Sequence, residues 1–264
     1  MNFLEEHYNK FYEEKRLDSR HGQVEYYLTM KYIEAQLLRA GKDGRKPEEI
    51  KIADIGAGTG RYAVPLSEKG YDVTAVEPVQ HNLGIMKAKK SAVKCIKGNA
   101  LKLKKLASDS FDVVLLLGPM YHLFTFEDKL QALSEAKRIC KPGGVIYVAY
   151  LMNEYGVLTY GFKERHILEV QKEGRLDEDF NCSSSEKDLY DYVRMEVINE
   201  LYQKADLKRQ LIFTPDGPAN YMRPYLNQLS EEEFLQFIRY VESICRREDM
   251  IGAAAHTVDV LMKE

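Results

Sequence analysis

Between Lys51 and Tyr150 the sequence alternates short apolar runs with helical patterns, and this alternation restricts the possible folds more than any other feature. Each apolar run ends near a glycine or a proline, as strands buried in a sheet commonly do. One helix between two such runs has an apolar face that includes Leu130, Leu133 and Ala136. Strands and helices that alternate in this way form right-handed crossovers on a parallel sheet. The sequence therefore predicts an α/β fold of the doubly wound, Rossmann-like kind.

Seven strands are predicted, five in the alternating region and two near the C-terminus. The first five lie in IKIADIG, YDVTAVEP, VKCIKGNA, FDVVLLLGP and VIYVAYL, and the KPGG before the fifth is predicted as a turn. The last two lie in LKRQLIFT and AHTVDVLMK. A helix is predicted near residues 194–205 and another from Ser230 to about Arg246, where Ser230 and Glu233 have the spacing of a capping box.

We expect one domain over residues 1–264. Its core covers residues 45–150 and 188–264, and a helical segment over residues 1–40 precedes it. Residues 151–187 are rich in Gly, Tyr, Glu and Ser and fit no further strand–helix unit, so we interpret them as an inserted cap. Because this cap follows the fifth strand, it should leave the sheet on the side where ligands bind.

Composition excludes several classes of protein. The 264 residues carry a net charge of −3, which gives no overall field for binding DNA, and no apolar run is long enough to span a membrane. The four cysteines lie far apart, without a CxxC pattern. They predict reduced thiols in a cytoplasmic protein, with neither disulfides nor a metal site. The sequence leaves open whether the protein is a monomer or a homodimer.

The loop after the first strand, Gly56-Ala57-Gly58-Thr59-Gly60, predicts a ligand site. Glycines allow tight turns and a close approach of the backbone to a ligand, and the following helix offers free N–H groups. The spacing departs from the dinucleotide pattern GxGxxG, because Arg61 stands where the third glycine would be. Asp54 would repel a pyrophosphate, whereas its carboxylate suits an ammonium group such as the amino-acid end of S-adenosylmethionine.

With this loop, DIGAGTG resembles the first motif of the class I S-adenosylmethionine-dependent methyltransferases. Glu77 in VTAVEP resembles the acidic residue that binds both ribose hydroxyls in that family. Asn99 and Ala100 resemble the pair beside the adenine, although an aspartate is more usual than Asn99. The segments FDVVLLLGPMYHL and CKPGG are also similar to family segments, and other stretches look like a bacterial subgroup that acts on small molecules.

The resemblance implies a seven-stranded sheet with an antiparallel last strand, S-adenosyl-L-methionine as cofactor and a small-molecule acceptor. The cofactor contacts that it implies are Asp54, Gly56, Ala57, Gly58, Thr59, Gly60, Glu77, Pro78, Asn99, Ala100, Leu117 and Gly118. Arg20, next to an N-terminal helix, is a further candidate for a carboxylate of the cofactor or acceptor, and an ordinary surface ion pair is its alternative. The signature of amino-methyltransferases, Asp or Asn followed by Pro-Pro-aromatic, is absent, which argues against a DNA adenine methyltransferase and leaves RNA or protein substrates open.

Methyl transfer is an in-line displacement, and some acceptors need a base to remove a proton. His122 and Tyr121, just after the fourth strand, are the predicted catalytic residues. The alternative is that His122 only shapes the adenine pocket. His256 and His166 are next in line, and a mechanism without a base is also open.

Two other functions remain compatible with the sequence. One is a nicotinamide-dependent Rossmann oxidoreductase, against which Asp54 and Arg61 count. The other is a catalytically silent module that binds the cofactor, since the sequence alone does not identify a base.

Overall fold

The computed structural model describes residues 19–41 and 44–264. Within these residues one sheet of seven strands has the order β3-β2-β1-β4-β5-β7-β6. The strands are β1 Lys51–Ile55, β2 Asp72–Glu77, β3 Lys94–Lys97, β4 Phe111–Leu116, β5 Cys140–Leu151, β6 Lys208–Phe213 and β7 His256–Met262. Residues 1–18 of the predicted N-terminal helical segment lie outside the described residues.

The direction of the strands confirms the predicted fold class. Strands β1 to β5 pair in parallel, and β7 runs antiparallel to both of its neighbours, β5 and β6. The strand order reverses at β1, which lies between β2 and β4. In open α/β sheets this reversal opens a crevice beyond the carboxyl ends of the strands, and ligands bind there.

Helices cover both faces of the sheet. They are α1 Arg20–Ala40, α2 Ala63–Glu68, α3 Gln80–Ala88, α4 Phe126–Ile139, α5 Asn153–Gly156, α6 Ile167–Lys172, α7 Met195–Lys204, α8 Arg223–Leu226, α9 Glu231–Ile244 and α10 Glu248–Ile251. A π-helix, Val157–Lys163, joins α5 to α6. No helix in the described parts of the chain combines the length and hydropathy needed to cross a bilayer.

Two apolar layers fix the helices to the sheet. On one face, Leu133 and Ile139 of α4 and Ile198 of α7 are fully buried in one apolar cluster with residues of β4 and β5. On the other face, Ile33 of α1 and Leu66 of α2 are fully buried against β1 and β2. Each layer removes large aliphatic side chains from water, and this burial is the main driving force for the fold. The predicted capping box starts α9 as expected.

The prediction of a separating turn at KPGG is wrong. Strand β5 starts at Cys140, directly after α4, and Phe111 pairs with Cys140 while Val113 pairs with Val145. Residues 141–144 therefore stand opposite Asp112 alone, as a bulge in the strand. The irregularity is stabilised because Lys141 Nζ and Lys51 N each donate to Asp112 Oδ2 at 2.9 Å.

Candidate functional site

A cleft of about 280 Å³ lies at the carboxyl ends of β1, β2 and β4. The residues of the predicted site that line it are Gly56, Gly58, Glu77, Pro78, Asn99, Ala100, Gly118, Tyr121 and His122. The sequence did not suggest four further lining residues, which are Asn82, Leu101, Pro119 and Leu123. Parts of the chain that are far apart in sequence thus meet at the topological switch point.

The glycine loop depends on the absence of side chains. Gly56 and Gly60 have φ angles of 72° and 86°, in the left-handed region that favours glycine. A Cβ atom on Gly56 would lie 2.7 Å from Pro119 Cγ, and one on Gly60 would lie 2.7 Å from Met86 Cγ. The loop can therefore pack against the end of β4 and against α3 only with glycine at both positions.

Glu77 is oriented before any ligand arrives. Its side chain is buried at 3% exposure, and its two carboxylate oxygens accept hydrogen bonds from Gly58 N and Val79 N, each at 2.8 Å. A carboxylate can accept about four hydrogen bonds, so two backbone amides do not by themselves exhaust it. The carboxylate thus holds the glycine loop on β2 and faces the cleft with a fixed geometry.

Asp54 lies behind the loop and carries a buried acceptor. Its Oδ2 finds no hydrogen-bond partner among residues 19–41 and 44–264. Burial raises the pKa of this carboxyl from 3.8 to about 7, opposed by a hydrogen bond from the Ala63 backbone and supported by the negative charge of Glu77. A buried acceptor without a donor is costly, and a ligand with a cationic donor would satisfy it.

Other predicted cofactor residues are not among those that line the cleft. The Ala57 amide donates to Val76 O at 3.1 Å, the Thr59 side chain is buried, and Leu117 packs on the core. Arg20 is held elsewhere, because it donates to Leu229 O at 2.7 Å and pairs with Glu231 at 2.5 Å. The alternative of an ordinary ion pair therefore describes the arrangement of Arg20 in this structure.

Tyr121 and His122 form the end wall of the cleft, in the short 3-10 turn Pro119–His122. The Tyr121 hydroxyl donates to Leu117 O at 3.2 Å. His122 Nδ1 lies 2.9 Å from Leu189 O, and a carbonyl can only accept, so Nδ1 carries a proton and donates. In the neutral ring this leaves Nε2 as the acceptor nitrogen.

A second cavity of about 320 Å³ is lined by the predicted cap and the residues directly after it, between the π-helix, α6 and residues 182–192. Tyr160, Tyr190 and Tyr192 line it, with Arg175 and Lys187 among the charged lining residues. The Tyr190 ring lies 5.7 Å from the Tyr121 ring and 5.4 Å from the His122 ring, measured between centroids. The two cavities are therefore neighbours on either side of an aromatic wall.

A third polar group links α1, β7 and the loop before α8, and sequence reasoning missed most of it. Asp216 is fully buried, and its Oδ2 lies 2.7 Å from His256 Nδ1 and accepts from Asn220 Nδ2 at 2.6 Å. Glu25 lies 3.8 Å from the same His256 nitrogen. His256 is a candidate from the sequence, but its nearer partner in the chain, Asp216, lies 40 positions away, so no local pattern indicates the contact.

Comparison with known proteins supports the resemblance. Residues 53–148 match the protein family described as "Methyltransferase domain". A ubiquinone biosynthesis O-methyltransferase of Rhizobium leguminosarum is 31% identical over 115 residues, which cover 42% of this chain and 44% of that protein. An uncharacterized methyltransferase of Mycobacterium bovis is 32% identical over 94 residues, which cover 36% of this chain and 37% of that protein.

The fold is shared over a longer part of the chain. A crystal structure of a SAM-dependent methyltransferase from Methanosarcina mazei superposes with a TM-score of 0.55 and 14% identity, covering 84% of this chain and 95% of that one. This likeness confirms the predicted fold. The matches to these curated relatives span less than half of those proteins. The family match, residues 53–148, includes β2 and β4, whose carboxyl ends border the cleft.

Proposed function

We infer that the chain is a class I S-adenosylmethionine-dependent methyltransferase, with its cofactor in the cleft at the ends of β1, β2 and β4. The observation that carries this proposal is the pair of acidic groups at the glycine loop. Asp54 offers a buried acceptor without a partner to an ammonium group, and Glu77 offers an oriented carboxylate to the ribose hydroxyls. A nicotinamide dinucleotide would instead bring its pyrophosphate to this loop, close to the buried Asp54.

The described residues fit the cofactor in three parts. The glycine loop and Asp54 would hold its amino-acid end, Glu77 its ribose, and Asn99 and Ala100 its adenine. When bound, S-adenosylmethionine supplies an electrophilic methyl group on its sulfonium. The chain contributes orientation and the exclusion of water, which are the protein's usual share of catalysis with such a cofactor.

The acceptor is a small molecule held under the cap, residues 151–187. The cap leaves the carboxyl end of β5 at the edge of the sheet that carries the cleft, and it contains the second cavity. A cavity of this size, lined by aromatic and apolar side chains with a few polar groups, is typical of small-molecule sites. The acceptor atom is an O, N, S or C nucleophile.

Calorimetry tests the cofactor assignment. We expect S-adenosylmethionine and S-adenosylhomocysteine to bind with an affinity in the micromolar range typical of enzyme ligands, and NADH neither to bind nor to compete. The physical reason is that Asp54 attracts an ammonium and repels a pyrophosphate. Tight NADH binding without any binding of the sulfonium compound would overturn the proposal in favour of an oxidoreductase.

His122 is the proposed base, with Tyr121 beside it. The Leu189 carbonyl holds the Nδ1 proton, so Nε2 is the nitrogen that can take a proton from the acceptor. The alternative role is a contact in the cofactor wall. The two roles differ because loss of a base lowers turnover, while loss of a wall contact weakens cofactor binding.

Replacing His122 with alanine or asparagine separates these roles. We expect the dissociation constant of S-adenosylhomocysteine to rise by less than about tenfold in both variants. This corresponds to a loss of less than about 1.4 kcal/mol of binding free energy. Turnover, once an acceptor is found, should fall by about 10²–10⁴-fold in both, because neither side chain can act as a base at neutral pH. Asparagine is the matched control, since its amide can still donate to Leu189 O. A much larger loss of cofactor affinity would place His122 in the cofactor wall.

The cap should respond to the cofactor as a lid does. We expect backbone amides in residues 151–187 to exchange with solvent several-fold more slowly when S-adenosylhomocysteine is added, because ligand binding closes such segments over the site. Hydrogen exchange followed by mass spectrometry measures this directly. Slowing confined to the glycine loop and β2, with no change in the cap, would contradict a lid.

A further inference from the structure

Residues 189–193, which follow the cap, lie along both the cleft wall and the end of β5. Asp191 N donates to Tyr121 O at 2.8 Å, next to the bond between His122 and Leu189. At the other end, Val193 N donates to Leu151 O at 2.9 Å. We call residues 189–193 the return segment.

One buried ion pair ties this segment to the helix behind the cleft. Lys129, in the first turn of α4, has a side chain that is only 3% exposed, and its Nζ lies 2.6 Å from Asp191 Oδ2. The same ammonium also donates to Leu123 O. Leu123 lines the cofactor cleft. Lys129 therefore joins the end of the cleft wall to the return segment through one charged group.

Stability alone is a poor explanation for such a pair. Removing two charges from water costs several kcal/mol, and apolar pairs of similar volume are often as stable or more stable. A buried charge pair does, however, permit only the arrangement in which both charges meet. The ion pair consequently selects one position of the return segment relative to the cleft wall.

This position matters because the return segment is shared by two cavities. Leu189 and Tyr190 line the cavity in the cap, whereas their contacts Tyr121 and His122 line the cofactor cleft. Any shift of the return segment would move the Leu189 carbonyl that orients His122. The same shift would move the aromatic wall between the two cavities.

We propose that Lys129 and Asp191 are a positioning pair, which couples occupation of the cofactor cleft to the order of the cap. The inference rests on the proposed cofactor site and names the residues through which that site and the cap communicate. Neither residue touches the reacting atoms. Both act through the return segment, by keeping it against Tyr121, His122 and Leu123.

The test removes both charges and measures coupling. In the full chain, Lys129→Met combined with Asp191→Asn is compared with the unsubstituted protein for binding of S-adenosylhomocysteine and for hydrogen exchange of the cap with and without that ligand. We expect the dissociation constant to rise about tenfold, because only a fraction of the molecules hold the wall in its binding position. We also expect the ligand to lose most of its effect on exchange in residues 151–187.

A matched control comes from the same helix. Lys137 pairs with Asp206 Oδ2 at 2.8 Å, where the Asp206 side chain is 96% exposed and away from both cavities. Lys137→Met combined with Asp206→Asn makes the same chemical change, and it should leave ligand affinity and the response of the cap unchanged. If the first double variant does not fold, Lys129→Met with Asp191→Leu provides an apolar pair that packs in the same space.

The outcomes separate this inference from the proposed function. If the unsubstituted protein does not bind S-adenosylhomocysteine, the proposed function is overturned and the inference falls with it. If that protein binds the ligand and the double variant keeps both its affinity and the response of its cap, the pair is merely structural and the inference alone is wrong. A lower melting temperature by itself would not support a positioning role.

Discussion

Replacing Glu77 with alanine should raise the dissociation constant of S-adenosylhomocysteine about 100-fold or more. The substitution removes a charge-assisted acceptor for the ribose hydroxyls, which is worth about 1.5–3 kcal/mol. It also removes the partner of Gly58 N and Val79 N, so the glycine loop loses its attachment to β2. Calorimetric titration measures the change in affinity, and circular dichroism shows whether the fold survives.

Two further substitutions make this result specific. Glu77→Gln keeps the shape of the side chain and one acceptor oxygen. We therefore expect its affinity for S-adenosylhomocysteine to lie between those of Glu77→Ala and the unsubstituted protein. Asp72→Ala, at the opposite end of the same strand, removes the partner of the exposed Lys94 and should leave cofactor affinity unchanged. Full affinity in Glu77→Ala would contradict a role of this carboxylate in binding the ribose.

Replacing Asp54 with asparagine should raise the dissociation constant of S-adenosylhomocysteine by about 30–100-fold. It should also abolish the dependence of this affinity on pH. An amide still fills the space, but it cannot form the charge-assisted bond to an ammonium, which is worth about 1.5–3 kcal/mol. In the original protein the pKa of Asp54 is raised to about 7 by burial. Below that pH the ligand must displace a proton, so affinity should rise as the pH increases from about 5.5 to 7 and then level off.

The pKa of Asp54 also fixes the sign of an effect on stability. The folded, ligand-free protein keeps this proton up to about pH 7, whereas the unfolded chain releases it near 3.8. The unfolded state therefore binds fewer protons between these values, and this group makes the ligand-free protein less stable as the pH rises.

Binding titrations at several pH values measure the effect of Asp54 on affinity. They are kept below about pH 7.5 so that the ligand's amine stays charged. Equal pH dependence in Asp54→Asn would assign the titration to another group.

The strand–helix alternation predicted most of the fold because its signals are local. A buried strand and an amphipathic helix each carry their periodicity within a few residues, and glycine or proline marks their ends. KPGG shows where this reasoning fails. Its residues are typical of a turn. However, Gly143 and Gly144 pair with Lys263, and Lys141 bonds to Asp112, so the segment stays in the strand. Those partners lie in other parts of the sequence, so no local pattern indicates them.

The residues of the candidate site likewise fall into those that local sequence predicts and those that only the fold brings together. The glycine loop and Glu77 follow directly from their positions at strand ends, and the structure brings them to one cleft with Asn99 and Tyr121. The partners of Lys129 and His256 could not be predicted, because Asp191 and Asp216 lie in irregular segments 62 and 40 residues away. A lysine in the first turn of a helix usually indicates a solvent-exposed face. Only the folded chain shows that this lysine is buried.

The cysteines give the protein two internal reporters of its own opening. Burial raises the pKa of Cys182 to about 11 and that of Cys140 to about 12, which lowers the thiolate fraction of both at neutral pH. Cys182 is partly buried and lines the second cavity, whereas Cys140, the first residue of β5, is fully buried in the core. A thiol reagent would therefore modify Cys182 whenever the cap alone opens and Cys140 only when the core does. The ratio of the two labelling rates separates local from global unfolding without any engineered cysteine.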